Sequence, residues 1–276
     1  MQIAMIQDRI LPFDQLDPAY LDRGAFFGDG VYEVVRSYNG KIFALDEHLQ
    51  RFANSLAAIE ITALDIADVR ARVENAFARA GIPNAKIYFH ATRGSAPRDH
   101  VYGPDLQPNF FLTVTELSDD PAEKAAGIAV STYPDLRWKR CDIKSLNLLP
   151  NVLARADAAR KGCAEAIFVS DAGLITEGAA SAFFAILGRK LHTAPLTANI
   201  LPSITRTFVI RAAAQTGLEV LEESLTIREA AWADELFIAV TTHDIVPVTK
   251  FDDKAIGDGR PGKYTKSLID QFRSFT

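Results

Sequence analysis

Helix-like and strand-like stretches follow one another along this chain without a regular strand–helix–strand alternation. A doubly wound parallel sheet needs that alternation, so the pattern directs the chain to an α+β architecture. Val31 to Tyr38 is rich in β-formers and stops at Asn39-Gly40, ahead of Lys41-Ile42-Phe43-Ala44, which predicts a tight hairpin. Leu45, Leu49, Phe52, Leu56 and Ile59 recur at helical spacing behind Asp46 and Glu47. Ile66, Val69, Val73 and Phe77 mark a second helix over about Ile66 to Ala80, with Gly81 placed to cap it. Strands are expected at Ala85 to Thr92 and Asn109 to Thr115. The polar, proline-bearing segment Leu117 to Glu123 reads as a linker. Beyond it, strands are expected at Gly127 to Tyr133 and Glu235 to Thr241. Two more, at Ala164 to Ser170 and Ser181 to Leu187, bracket Asp171-Ala172-Gly173. Helices are expected at Leu148 to Lys161, closed by Gly162, at Ile204 to Thr216, between Ser203 as N-cap and Gly217, and from near Lys263.

At 276 residues the chain has room for two domains. A net charge of −5 without a basic tract argues against nucleic acid as a partner, and no apolar run approaches membrane-spanning length. The N-terminus has no signal-peptide pattern. Cys141 and Cys163 lack metal-type spacing and are expected as free thiols in the cytoplasm. The five histidines form no metal-ligand pair, Gly24, Gly28 and Gly30 fit no dinucleotide fingerprint, and Gly262-Lys263 is followed by Tyr264, which breaks a P-loop.

Other residues carry a chemical signal. Lys144 lies in Asp142-Ile143-Lys144-Ser145-Leu146, and apolar surroundings favour the neutral, nucleophilic amine that carbonyl chemistry requires. Glu177, in Thr176-Glu177-Gly178, is an acid expected on a turn. Ile200 to Arg206 is a turn feeding a helix, whose free N–H groups and dipole suit a phosphate, with the Thr205 hydroxyl beside them. Arg51, next to Phe52 on the first helix, can reach inward to the same anion. Thr241-Thr242 adds hydroxyls at a strand end, Arg98 and His100 alternate on a Gly/Pro loop, and Tyr32 and Phe27 are sized to line a pocket.

Together these pieces, in order from Arg23-Gly24 and Gly28-Asp29-Gly30 through Thr92-Arg93-Gly94 to Thr241-Thr242, resemble the fold-type IV family of pyridoxal-phosphate enzymes. The resemblance is strongest to its D-amino-acid aminotransferases. It implies two α/β domains, 1–117 and 123–276, joined by a linker at 118–122 with the cofactor between them. It implies transamination between a D-amino acid, such as D-alanine or D-glutamate, and a 2-oxo acid, such as 2-oxoglutarate or pyruvate. Branched-chain L-amino-acid aminotransferases and aminodeoxychorismate lyases are the alternatives. Lys144 would form the Schiff base and carry the proton, and Glu177 would pair with the pyridine nitrogen. Arg51, Ile204, Thr205, Thr241 and Thr242 would hold the phosphate end, with Leu201 packed on the ring. Tyr32, Arg98 and His100 would receive the substrate carboxylate, the last two from the second subunit of a homodimer. The chain departs from the family at Ala179-Ala180, where serines are usual, and at Ser203 and His243.

Overall fold

A hairpin of β1 (Ile3–Ile6) and β2 (Arg9–Pro12) opens the computed structural model, which describes residues 2–118 and 120–276. A helical turn, α1 (Arg23–Phe27), leads into β3 (Gly30–Tyr38), which turns into β4 (Lys41–Ile42) through Asn39 and Gly40, at φ 49° and 84°. Positive φ at both central residues is what a tight hairpin with the strand twist requires. Then follow α2 (Leu45–Ala58), α3 (Ile66–Ala80), β5 (Ala85–Thr92) and β6 (Asn109–Glu116). The four strands form a sheet in the order β4-β3-β5-β6. Leu49, Phe52 and Leu56 of α2 and Val69 and Val73 of α3 bury against Val31, Val35, Ile87 and Phe89 of that sheet. Each fully buried side chain of this kind contributes roughly 1.5–3 kcal/mol.

The expected linker ends inside a helix. Asp120 caps α4 (Pro121–Ala126), its Oδ1 accepting from the N–H groups of Ala122 and Glu123, and Pro121 fits the first helical position. Asp119, within the expected linker, and Met1 lie outside the described residues.

The remaining elements are β7 (Ile128–Pro134), α5 (Leu149–Arg160), β8 (Glu165–Val169), β9 (Ile175–Gly178), β10 (Ala182–Leu187), β11 (Lys190–Thr193) and α6 (Ile204–Thr216). After them come β12 (Glu219–Glu222), α7 (Ile227–Ala230), β13 (Glu235–Val240), β14 (Asp244–Phe251), β15 (Lys254–Ala255) and α8 (Lys263–Phe272). Nine strands make one mixed sheet, in the order β12-β11-β10-β13-β14-β7-β8-β9 with β15 paired to β14. Phe184 and Phe237 stack on one face, 4.8 Å apart, under Phe208 and Val209 of α6 and Leu268 and Phe272 of α8. Among the described residues no helix is long and apolar enough to cross a membrane.

One sequence expectation is corrected here. Thr176-Glu177-Gly178 is not a turn but part of β9, antiparallel to β8. The Asp171–Gly173 turn therefore joins β8 to β9 rather than to the strand at Ala182. All four residues of β9 are buried, so the segment lacks the alternation that marks a half-exposed strand.

Candidate active site

A cavity of about 500 Å³ lies where the two sheets meet. Period-two alternation along β3 sends Tyr32 and Val34 into it, while Val31, Glu33 and Val35 face α2. Lys144 enters on an extended segment laid against the start of β3. Its carbonyl accepts from Tyr32 N–H (2.9 Å), and Leu146 N–H donates to Gly30 O (3.0 Å). Gly30 makes this approach possible: a Cβ there would stand 2.6 Å from Ala91 O and 2.8 Å from Leu146 Cδ1. The Lys144 Nζ lies 4.3 Å from the centroid of the Tyr32 ring.

At one end stands Glu177, 6% exposed. Its Oε1 accepts from Arg137 Nη1 and from Leu201 N–H (3.1 Å), and among the described residues no donor reaches Oε2. Arg137 gives Nε and Nη2 to Asp135 as well (2.8 Å each). Burial pushes the Glu177 carboxyl above its usual range, against the opposing pull of Arg137, Leu201 N–H and Lys144. Cys141 also lines the cavity, and burial pushes its thiol up to about 11.

At the other end stands Arg51, 7% exposed. Its Nε and Nη2 bond to Glu33 (2.7 and 2.8 Å), and its Nη1 donates to Pro202 O (3.0 Å), which ties α2 to the turn before α6. His48 Nδ1 is 2.8 Å from Glu33 Oε2. Burial, with Arg51 and Lys144, lowers the His48 pKa despite Glu33. Ser203 caps α6, its Oγ accepting from Arg206 N–H (3.2 Å), and it lines the cavity with Leu201, Thr241 and Thr242. Arg36, buried in the sheet, donates to Thr242 O (3.0 Å).

The fold thus gathers Tyr32, Arg51, Lys144, Glu177, Leu201, Thr241 and Thr242 around one cavity. Ile204 and Thr205 sit one step behind Ser203 in the first turn of α6 and are not among its lining residues. Arg98 and His100 do not line it either: both are exposed and pack on Phe27, His100 at 5.3 Å between ring centroids.

The sequence profile of the class IV amino-transferases fits residues 30–251 of this chain. The chain belongs to that family. D-alanine aminotransferase of Bacillus licheniformis is 40% identical over 90% of this aminotransferase and 87% of its own length. That of Staphylococcus haemolyticus is 35% identical over 100% and 98%. Among solved structures, the Escherichia coli branched-chain amino acid aminotransferase superposes with a TM-score of 0.87 at 23% identity, covering 97% of this chain and 92% of its own. A hypothetical aminotransferase from Mycobacterium tuberculosis, in its PLP-bound form, superposes with a TM-score of 0.82 at 20% identity over 97% and 95%. At those identities these two share the fold.

Arg137 and Asp135 carry no expectation from the sequence, and Glu33 and His48 carry none as partners of Arg51 in this aminotransferase. For Glu33 a signal existed, since it shares the buried face of β3 with Val31 and Val35 and a charge there needs a partner. Arg137 lies in a loop without any periodic pattern and carried none.

Proposed function

We propose that this aminotransferase moves an amino group between a D-amino acid, such as D-alanine or D-glutamate, and a 2-oxo acid, such as pyruvate or 2-oxoglutarate, using pyridoxal phosphate. The observation that carries the reading is one cavity with a lysine between a buried acid and an arginine beside a helix N-terminus. That donor set fits the cofactor: an acceptor for a ring nitrogen, an amine for a carbonyl carbon, and cation, hydroxyl and N–H donors for a phosphate. Glu177 Oε2, which no donor among the described residues reaches, would hold the proton on the ring nitrogen. Arg51, Thr241, Thr242 and the Ile204–Thr205 turn would hold the phosphate, and Leu201 would pack on the ring. When bound, the cofactor draws off the electron pair left on the substrate Cα.

Lys144 Nζ would hold the cofactor through its carbonyl carbon and, as a free amine beside the substrate, would take the Cα proton and deliver it to that cofactor carbon rather than back to Cα. The Tyr32 ring beside Nζ limits where the amine can travel. Tyr32 also receives the substrate carboxylate, together with Arg98 and His100 of a second copy in a homodimer. Their position outside the cavity of their own chain accords with that reading. The preference for D-substrates rests on relatives named D-alanine aminotransferase at 35–40% identity. The free thiols Cys141 and Cys163 accord with a cytoplasmic enzyme.

Lys144→Ala abolishes transamination, measured as 2-oxo acid formed from D-alanine. In the wild type, D-alanine shifts the absorbance of the bound cofactor and L-leucine does not. A shift with L-leucine alone overturns the D assignment, and wild-type turnover by Lys144→Ala overturns the role of the lysine.

A further inference from the structure

Arg98 and His100 sit on an exposed loop with a charged foundation that the reaction as described does not use. Arg23, 3% exposed, donates Nη1 to Asp99 O (2.6 Å), Nη2 to His100 O (3.1 Å) and Nε to Asp29 Oδ2 (2.8 Å). Arg93, 7% exposed, gives Nε and Nη2 to the same Asp29 (2.9 Å each). It also reaches Ile59 O (2.6 Å) and Glu60 O (3.3 Å), just past the end of α2. Tyr102 closes the loop from outside, its ring centroid 3.7 Å from the Arg93 guanidinium carbon and its hydroxyl on Glu60 Oε2 (3.0 Å). Phe27 lies against the two exposed side chains, with the Arg98 guanidinium carbon 5.2 Å from its centroid.

We infer that Arg23 and Asp29 are positioning residues for the substrate carboxylate, fixing the backbone at Asp99 and His100 so that Arg98 and His100 are presented as a pair. The inference rests on the proposed reading of Arg98 and His100 as carboxylate-binding residues. A planar guanidinium spans two carbonyls and a carboxylate at once in a rigid fork, whereas a lysine ammonium gathers its three donors on one atom and does not reproduce that spread. Two arginines on one aspartate hold its carboxyl ionised: burial raises the Asp29 pKa, but Arg93 and Arg23 bring it below the usual range. The loop is thus anchored through its main chain, and its two functional side chains remain free to meet an anion.

The test is steady-state kinetics on the holoenzyme with D-alanine as amino donor. Arg23→Lys keeps the charge and loses the grip on two carbonyls. Its KM rises about tenfold with kcat within about twofold, the pattern of lost uniform binding, and the cofactor absorbance is retained. Tyr102→Phe removes one outer bond, leaves the fold intact and changes KM by no more than about twofold, since the inner clamp remains. If Arg23→Lys fails to fold, Asp29→Asn decides: it keeps the side-chain shape, removes the charge that orients Arg23, and raises KM about fivefold with kcat within about twofold. Arg98→Ala separates the two claims. Should it leave KM unchanged, the carboxylate reading falls and this inference with it. Should it raise KM while Arg23→Lys, or Asp29→Asn in its place, does not, the reading stands and the inference falls.

Discussion

Glu177 lines the cavity and Glu33 lies behind it, bonded to the cavity-lining Arg51; both acids are almost fully buried and both face an arginine, yet their proton affinities move in opposite directions. Burial raises both. For Glu33 it is outweighed by Arg51 and His48, which together make three bonds to it and hold its carboxyl well below the usual range. For Glu177 burial wins, because Arg137 reaches it through one nitrogen and spends Nε and Nη2 on Asp135. A dedicated cation makes a permanent anion, whereas a divided one leaves a carboxyl that still has affinity for a proton. The first suits a strut that aims Arg51, the second the role proposed for Glu177, sharing a proton with a ring nitrogen.

The largest effect follows from breaking the dedicated pair. Glu33→Gln leaves Arg51 buried without a counter-ion, and urea unfolding of that variant shows a loss of about 3–5 kcal/mol. Replacing both partners, Glu33→Leu with Arg51→Met, recovers most of that stability while abolishing tight cofactor binding. A loss under about 1 kcal/mol for the single variant would mean that Glu33 is not the dedicated partner of Arg51.

Glu177→Gln should do the reverse. The folded protein already disfavours the charge, so unfolding stability changes by less than about 1 kcal/mol on the scale of a single hydrogen bond. Transamination of D-alanine, in contrast, falls about 100-fold, the low end of what a positioned proton-holding group contributes. If stability fell as far as in Glu33→Gln, the two acids would be doing the same job.

How much of this contrast the sequence discloses depends on how local each signal is. The hairpin at Asn39-Gly40, α3 ahead of Gly81 and α6 between Ser203 and Gly217 were all readable, because period and cap lie within a few residues. The strand β14 was not. Pro247 argues against a central strand, yet β14 pairs with β13 on one side and β7 on the other, with a register shift between Val248 and Lys250. The segment β11 is four residues long and gives no usable period. At the site, Lys144, Glu177 and Arg51 stood out by residue type and context. What tunes them did not, since Glu33 meets Arg51 across a sheet and a helix, and Arg137 meets Glu177 from a loop 40 residues away.

The smallest effect is the pH dependence, and it tests the contrast through its sign. Both carboxyls start from an ordinary value of 4.5. Glu33 has a lowered folded pKa, so its stabilisation is present above that value and is lost as pH falls through the folded pKa. Glu177 has a raised one, so its stabilisation is present below 4.5 and is lost as pH rises through the folded pKa. Urea unfolding of the wild type and of each single Gln variant, at fixed ionic strength across this range, gives two difference curves. The wild-type advantage over Glu33→Gln grows with rising pH below 4.5 and then levels off. Relative to Glu177→Gln it shrinks with rising pH above 4.5, at no more than one proton's slope of about 1.4 kcal/mol per pH unit. Two curves rising together would show that Arg137, although shared with Asp135, holds Glu177 as firmly as Arg51 holds Glu33.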